Sequence, residues 1–293
     1  MTGRANLRRA ALLAPTTITI LGLVGIPLAI MVWISLLDRG STSGVDWHSV
    51  PSGANYLKLF MEEDFDGSFI FNPGFAIIFL RSVVQAAVTT LICILLGLPT
   101  ALWMAGLSPR GRNIMVLLIT IPFWTNFLVR NYAWLIILRE DGWATAAART
   151  VFGPHVELLY NDVAVAIGLS YSFLPFMILP LYAVFEKFDW RLLEAAYDLG
   201  ANRNRALRRI VVPIVRPGIA AGSMLVFIPC LGAFVTPALL GGGKTLMMGN
   251  VIQLQFGASR NWPFGAALGV VLLAAILTVL MAAAFWRNRR RRP

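Results

Sequence analysis

Residues 192–218 read LLEAAYDLGANRNRALRRIVVPIVRPG. The chain around them is far greasier. Of its 293 residues, 58% are hydrophobic and 13% charged, against roughly 25% charged in ordinary soluble domains. Yet this stretch carries two acids, five arginines, a central glycine and two prolines before its closing glycine. Leu192, Ala195, Ala196 and Leu199 recur at i, i+3, i+4 and i+7, and so do Leu207, Ile210, Val211 and Ile214. That period predicts two amphipathic helices lying against something. Gly200 falls between them and suits the left-handed conformation that closes a helix. Glu194 and Asp198 are four apart and repel on a helix. A helix that keeps both offers them to outside cations, either Arg191 or a partner protein. A helix resting on lipid headgroups accounts for the arginines. It does not account for the two acids or for the small pair Ala195 and Ala196.

Outward from this stretch, the chain is built of apolar runs long enough to cross a bilayer, which takes about 20 residues. Six candidate spans cover residues 10–37, 75–106, 113–138, 161–185, 211–240 and 264–286. With a mean hydropathy of +0.72, the expected class is an all-α integral membrane protein. Pro27, Pro99, Pro122, Pro175, Pro180 and Pro229 lie inside these runs. Neighbouring helices can satisfy the carbonyls such prolines free, so they kink spans rather than exclude them. The first run follows Arg4, Arg8 and Arg9, as a signal peptide would, but it exceeds an ordinary signal core and reads as a retained span. The expected layout is an N-terminal segment and first span over 1–37, an outer loop over 38–74, five further spans over 75–286 and a basic tail over 287–293. The charged inner loop covers 186–213.

The pI of about 10.6 would point to nucleic acid in a soluble protein. Here the arginines flank apolar segments, so membrane lipid is the expected partner and nucleic acid is not. Arginines and lysines crowd residues 4–9, 110–112, 187–216 and 287–292. By the positive-inside rule those segments face the cytoplasm, and both termini with them. No acid falls in the middle of a span, which argues against a proton relay or a metal-ion channel. Cys93 and Cys230 sit singly in apolar runs, and His48 and His155 are lone loop residues. No metal site is expected from them. A membrane enzyme would need a polar catalytic cluster within its spans, and none is present. A phosphate-binding loop GxxxxGK[ST] is also missing. LLGGGKT at 239–245 has the wrong spacing and falls on the outer side.

The pattern Glu194-Ala195-Ala196, three residues, Gly200, nine residues, Ile210, one residue, Val212, Pro213 resembles the EAA loop of ABC importer permeases. Val212 stands where the usual form has leucine. FLRSVVQAAVTTLICILLGLPTALWMAG (79–106), IPFWTNFLVRNYAWLIIL (121–138), LSYSFLPFMILPLY (169–182), FIPCLGAFVTPALLGG (227–242) and MGNVIQLQFGASRNWPFGAAL (248–268) resemble the B-type permeases of spermidine/putrescine importers. The resemblance implies a type I importer permease fold in a bacterial inner membrane. It implies a coupling helix that docks in a cleft of a cytoplasmic ATPase. Glu194 and Gly200 carry over most firmly; Ala195, Ala196, Asp198, Ala201, Arg203 and Pro213 complete the implied coupling set. It further implies a second related permease, two copies of the ATPase and an extracytoplasmic substrate-binding protein. ATP and magnesium would be held by the ATPase subunits, and no cofactor by this chain.

A polyamine passing through spans without acids would need aromatic faces, each worth roughly 0.5–2 kcal/mol to a cation. Phe123, Trp124, Tyr132 and Trp134 cluster on the third span, and Phe234 lies beyond Pro229 in the fifth. Of these, Trp124, Tyr132, Trp134 and Phe234 are the candidates for the pathway, Trp124 and Phe234 foremost, although ordinary packing or an interfacial aromatic belt also places such residues. Arg81 and Arg130 are the two basic residues within apolar runs outside the basic 187–216 segment. Arg81 stands near a span end and is expected to snorkel outward. Arg130 lies deeper, where it lines a cavity or caps carbonyls freed near Pro122. A pathway for an acidic or zwitterionic solute, such as an opine or amino-acid derivative, would also use Arg130. The acidic run over 62–66 suits docking or solvation, or gathering of cations.

Overall fold

The computed structural model describes residues 14–40, 44–63 and 69–289. The arginines at 4, 8 and 9, the residues from 290 onward, and Asp64 and Asp66 lie outside the described residues, as do the side chains of Glu62 and Glu63. The chain forms two compact units: residues up to Ile77 together with those from Val251 onward, and Ile78–Asn250.

Among the described residues, five unbroken helices are long and apolar enough to cross a membrane: Ala14–Ser35 (α1), Gly74–Ala105, Asp162–Phe185, Arg203–Leu231 and one that begins at Trp262. The expected third span is not one helix. It runs as Pro109–Trp124 and Phe127–Leu138, bent by 91° at the break. The reason is local. Thr125 is extended (φ −74°, ψ 151°), and Asn126 caps the second helix by accepting from the Leu128 N–H. The Pro122 carbonyl, which an unbroken helix would satisfy further on, takes the Thr125 N–H and hydroxyl instead.

The expected fifth span, 211–240, is also displaced. Its helix starts at Arg203 and stops at Leu231, and Val235–Leu240 is a separate short helix. The second amphipathic stripe is therefore the first part of this long helix and not a helix of its own. A π turn over Leu207–Val211 precedes Pro213. The wider turn accommodates a ring that removes an N–H and would crowd the carbonyl four residues back.

The first unit holds α1, a two-stranded hairpin (β1 Asp38–Arg39, β2 Val45–Asp46), the short helix Ala54–Leu57 (α2), and a second hairpin (β3 Met61–Glu63, β4 Phe69–Phe71). Sequence periodicity gave no sign of such short strands. Asn55, 2% exposed, donates to the carbonyls of Ser35 and Leu37 at the end of α1. Those carbonyls lack partners within the helix.

The second unit contains most of Gly74–Ala105 (α3), then Pro109–Trp124 (α4), Phe127–Leu138 (α5), Trp143–Phe152 (α6), Asp162–Phe185 (α7), Arg191–Asp198 (α8), Arg203–Leu231 (α9) and Val235–Leu240 (α10). Met248–Phe256 (α11) begins in it, and Trp262–Arg289 (α12) belongs to the first unit. The packing of α9 on α7 dominates. Gly218 and Gly222, four apart, let the backbones approach, as small residues do between membrane helices. A Cβ on Gly222 would stand 2.7 Å from Met177 Sδ and 3.3 Å from Met177 Cα. Met177 also fills the space left by Gly97 on α3, so three helices meet around one flexible side chain. Near the start of α7, Arg81 does not simply reach outward. Its guanidinium pairs with Asp162 at 2.8 Å and donates to the Lys244 carbonyl.

Candidate functional site

The coupling candidates sit on α8 and its flanking turns. Asp189 Oδ1 accepts from the Arg191 N–H and starts the helix. At the other end Gly200, at φ +76°, donates to the Tyr197 carbonyl, and the Ala201 N–H reaches back to Ala196. These two bonds form the Schellman closure, which needs a residue comfortable in the left-handed region. Asn202 Oδ1 then accepts from the Arg205 N–H and opens α9. Glu194, Ala195, Asp198, Gly200, Ala201 and Arg203 thus lie on one helix–turn–helix. Pro213 does not join them: it lies ten residues along α9 from Arg203, about 15 Å at 1.5 Å per residue.

The apolar stripe of α8 is split. Ala196 is buried against its own chain, whereas Leu192 is 45%, Tyr197 48% and Leu199 89% exposed. Glu194, Ala195 and Asp198 are exposed beside them. A row of edge-to-face rings fixes the helix from behind. Phe185, at the end of α7, meets Phe188 at 6.2 Å, and Phe188 meets Trp190 at 5.4 Å. Phe185 and Phe188 are buried. The sequence pattern marked the exposed stripe but not this bolt, whose only sign was three closely spaced aromatics.

The pathway candidates do not converge. Trp124, 86% exposed, ends α4 at the bend, and Tyr132 is 52% exposed on α5. Trp134 packs inward, edge-on to Tyr171 of α7 at 5.5 Å. Phe234 precedes α10, and its carbonyl accepts from Asn250. It makes no ring contact with the others among the described residues. Arg130 instead lies over the faces of Phe123 (5.9 Å) and Phe127 (5.5 Å). Phe123 in turn meets Phe176 edge-on at 5.2 Å. The cluster around Arg130 is therefore Phe123, Phe127 and Phe176, of which the sequence marked only Phe123, as one of the aromatics of the third span. A different aromatic cleft of about 440 Å³ lies in the first unit, lined by Trp47, Phe256, Arg260 and Trp262 among others.

Comparison with known proteins accounts for this architecture. The family model described as "Binding-protein-dependent transport system inner membrane component" matches residues 75–293. The spermidine/putrescine transport system permease protein PotB of Haemophilus influenzae is 38% identical over 271 residues, covering 90% of each chain. PotB of Escherichia coli is 39% identical over 239 residues, 81% of this chain and 86% of its own. The E. coli inner membrane ABC transporter permease protein YdcU is 30% identical, covering 89% of this chain and 88% of its own. A crystal structure of a bacterial alginate ABC transporter, in complex with an alginate pentasaccharide-bound periplasmic protein, superposes with a TM-score of 0.69 at 15% identity, over 100% of this chain and 99% of that one. The six spans, counting the bent pair as one, are those of the type I permease fold. The chain belongs to the binding-protein-dependent transport family, as a multi-pass inner-membrane permease subunit of an ATP-binding-cassette importer.

Proposed function

We propose that this permease carries polyamines, spermidine or putrescine, into the cell by alternating access. The observation that carries the reading is the identity of 38–39% with spermidine/putrescine permeases over most of the chain. In this reading two copies of a cytoplasmic ATPase bind ATP and magnesium and close on each other. A cleft in one of them holds α8, with Leu192, Tyr197 and Leu199 as the apolar contact and Glu194 and Asp198 facing its cations. Closure moves α8, and the bolt through Phe188 passes the movement to α7. A second permease completes the pathway, and an extracytoplasmic binding protein delivers the cargo. Both termini and the 186–213 loop face the cytoplasm. Trp124, Tyr132, Trp134 and Phe234 are the aromatic candidates for meeting the cation.

The test is uptake of labelled spermidine and putrescine into vesicles holding the full complex, with ATP on the cytoplasmic side. Saturable, ATP-dependent uptake that an excess of unlabelled polyamine abolishes is the expected result. Uptake of another solute with none of either polyamine sinks the substrate assignment and leaves the importer. One observation favours a carboxylate-bearing solute: the guanidinium of Arg130 has no counter-charge among the described residues. Competition of uptake by opines or amino-acid derivatives separates that reading from the first.

A further inference from the structure

Arg130 sits beside the middle of α7. Its neighbours on the third span bracket it against α7. Phe123, on which Arg130 lies, meets Phe176, and Trp134, one turn beyond Arg130, meets Tyr171. Residues 171 and 176 both stand about 14–21 Å from either end of α7 at 1.5 Å per residue. A hydrocarbon core is about 30 Å thick, so the guanidinium level is near its middle. That is further from the headgroups than an arginine reaches, so snorkelling does not remove the charge.

The charge is also unanswered. Arg130 Nε is buried without a hydrogen-bond partner. The two phenyl faces at 5.5 and 5.9 Å supply part of a cation's solvation but no counter-ion. An intramembrane arginine without an acid is costly. The chain cannot supply one there: no Asp or Glu occurs between Asp66 and Glu140, none between Asp162 and Glu186, and none after Asp198. Around Arg130, α4 and α5 leave an uncovered apolar face. Trp124 is 86%, Val129 64%, Tyr132 52% and Ile136 63% exposed. Lipid tails can cover that face but cannot neutralise the guanidinium.

We infer that Arg130 pairs with a carboxylate from the membrane interior of a companion permease. The inference rests on the two-permease assembly proposed above. A second copy of this chain has no intramembrane acid to offer, so the companion is a different chain. A cationic cargo then competes with Arg130 for that carboxylate, and the arginine stands in for the cargo while the pathway is empty. A carboxylate-bearing cargo would leave Arg130 unpaired whenever the pathway is empty, which is the costly state.

The test uses the complete transporter in nanodiscs. Arg130→Glu should lose the companion permease during purification. Exchange of one intramembrane Asp or Glu of the companion for Lys should restore it. The milder Arg130→Gln should lower the thermal midpoint of the complex, and neutralising that same companion acid should then cost little more, because coupled residues are non-additive. If Arg130→Glu retains the companion, or no companion acid restores the reversed charge, the ion pair is wrong. A dependence of the Arg130→Gln effect on anionic lipid content alone would make a headgroup the partner and overturns it too. Neither readout requires transport, so a wrong cargo leaves the pair standing. A wild-type chain that assembles with no different permease overturns the two-permease reading and the pair together.

Discussion

Gly200 holds φ at +76° with nothing within 4 Å of where a Cβ would stand. A substitution there meets no clash within this chain and costs only the left-handed backbone, roughly 1–2 kcal/mol. Gly200→Ala should therefore leave the permease folded while loosening the closure of α8, and ATP-driven uptake should fall several-fold. Gly200→Arg adds bulk where an ATPase cleft is proposed and should abolish coupling in a complex that still assembles. Binding-protein-stimulated ATP hydrolysis is the readout, and Gly200→Arg with normal coupling would refute the docking of α8. Gly222 is the opposite kind of glycine. It is helical, and its missing side chain is occupied by Met177. Gly222→Leu forces α9 away from α7 and should cost about 1–3 kcal/mol or more, as overpacking does. The thermal midpoint should fall clearly, whereas Gly97→Ala, which meets the Cγ of the same flexible methionine at 2.9 Å, should lower it less.

The helices differ in how far the sequence betrays them. Most spans are visible as long apolar runs, because hydrocarbon demands about 20 such residues in a row. The break in the third is hidden, because apolar residues continue on both sides of it and Pro122 suggests only a kink. Its real sign is Asn126, whose side chain caps Leu128. Asn126→Ala removes that cap, typically about 1 kcal/mol. It should weaken α5 specifically, read as faster hydrogen exchange at residues 127–130 with that of α7 unchanged. Equal protection in both proteins would mean that the bend is held by packing instead. In the inner loop, the apolar stripes predicted two helices, and both stripes are helical. The second is not a helix of its own, because the π turn at Leu207–Val211 carries one helix from Arg203 past Pro213 and Pro217 to Leu231. The coupling residues were legible because they are local, all within one helix and its turns. The surroundings of Arg130 were not, because Phe176 reaches it through Phe123 from another span, and linear spacing carries no trace of that meeting.

At the scale of the whole chain, charge sets the orientation that packing does not. Arginine and lysine crowd the 110–112, 187–216 and 287–292 segments, while acids predominate over 38–66. The basic loops are short and adjoin spans, which is where the positive-inside bias acts. The 38–74 loop should then face outward and the 186–213 loop inward. Single cysteines can report this without removing the native ones, because Cys93 and Cys230 are 0% exposed and a water-soluble maleimide does not reach a thiol packed among apolar helices. Val50 is 81% exposed, and Asn202 is exposed at the opening of α9. In intact spheroplasts a membrane-impermeant maleimide should label Val50→Cys and spare Asn202→Cys. After permeabilisation it should label both, unless a bound ATPase covers Asn202, in which case stripping the ATPase restores labelling. Labelling of Asn202→Cys from outside, with Val50→Cys protected, would invert the topology and place α8 out of reach of any cytoplasmic motor.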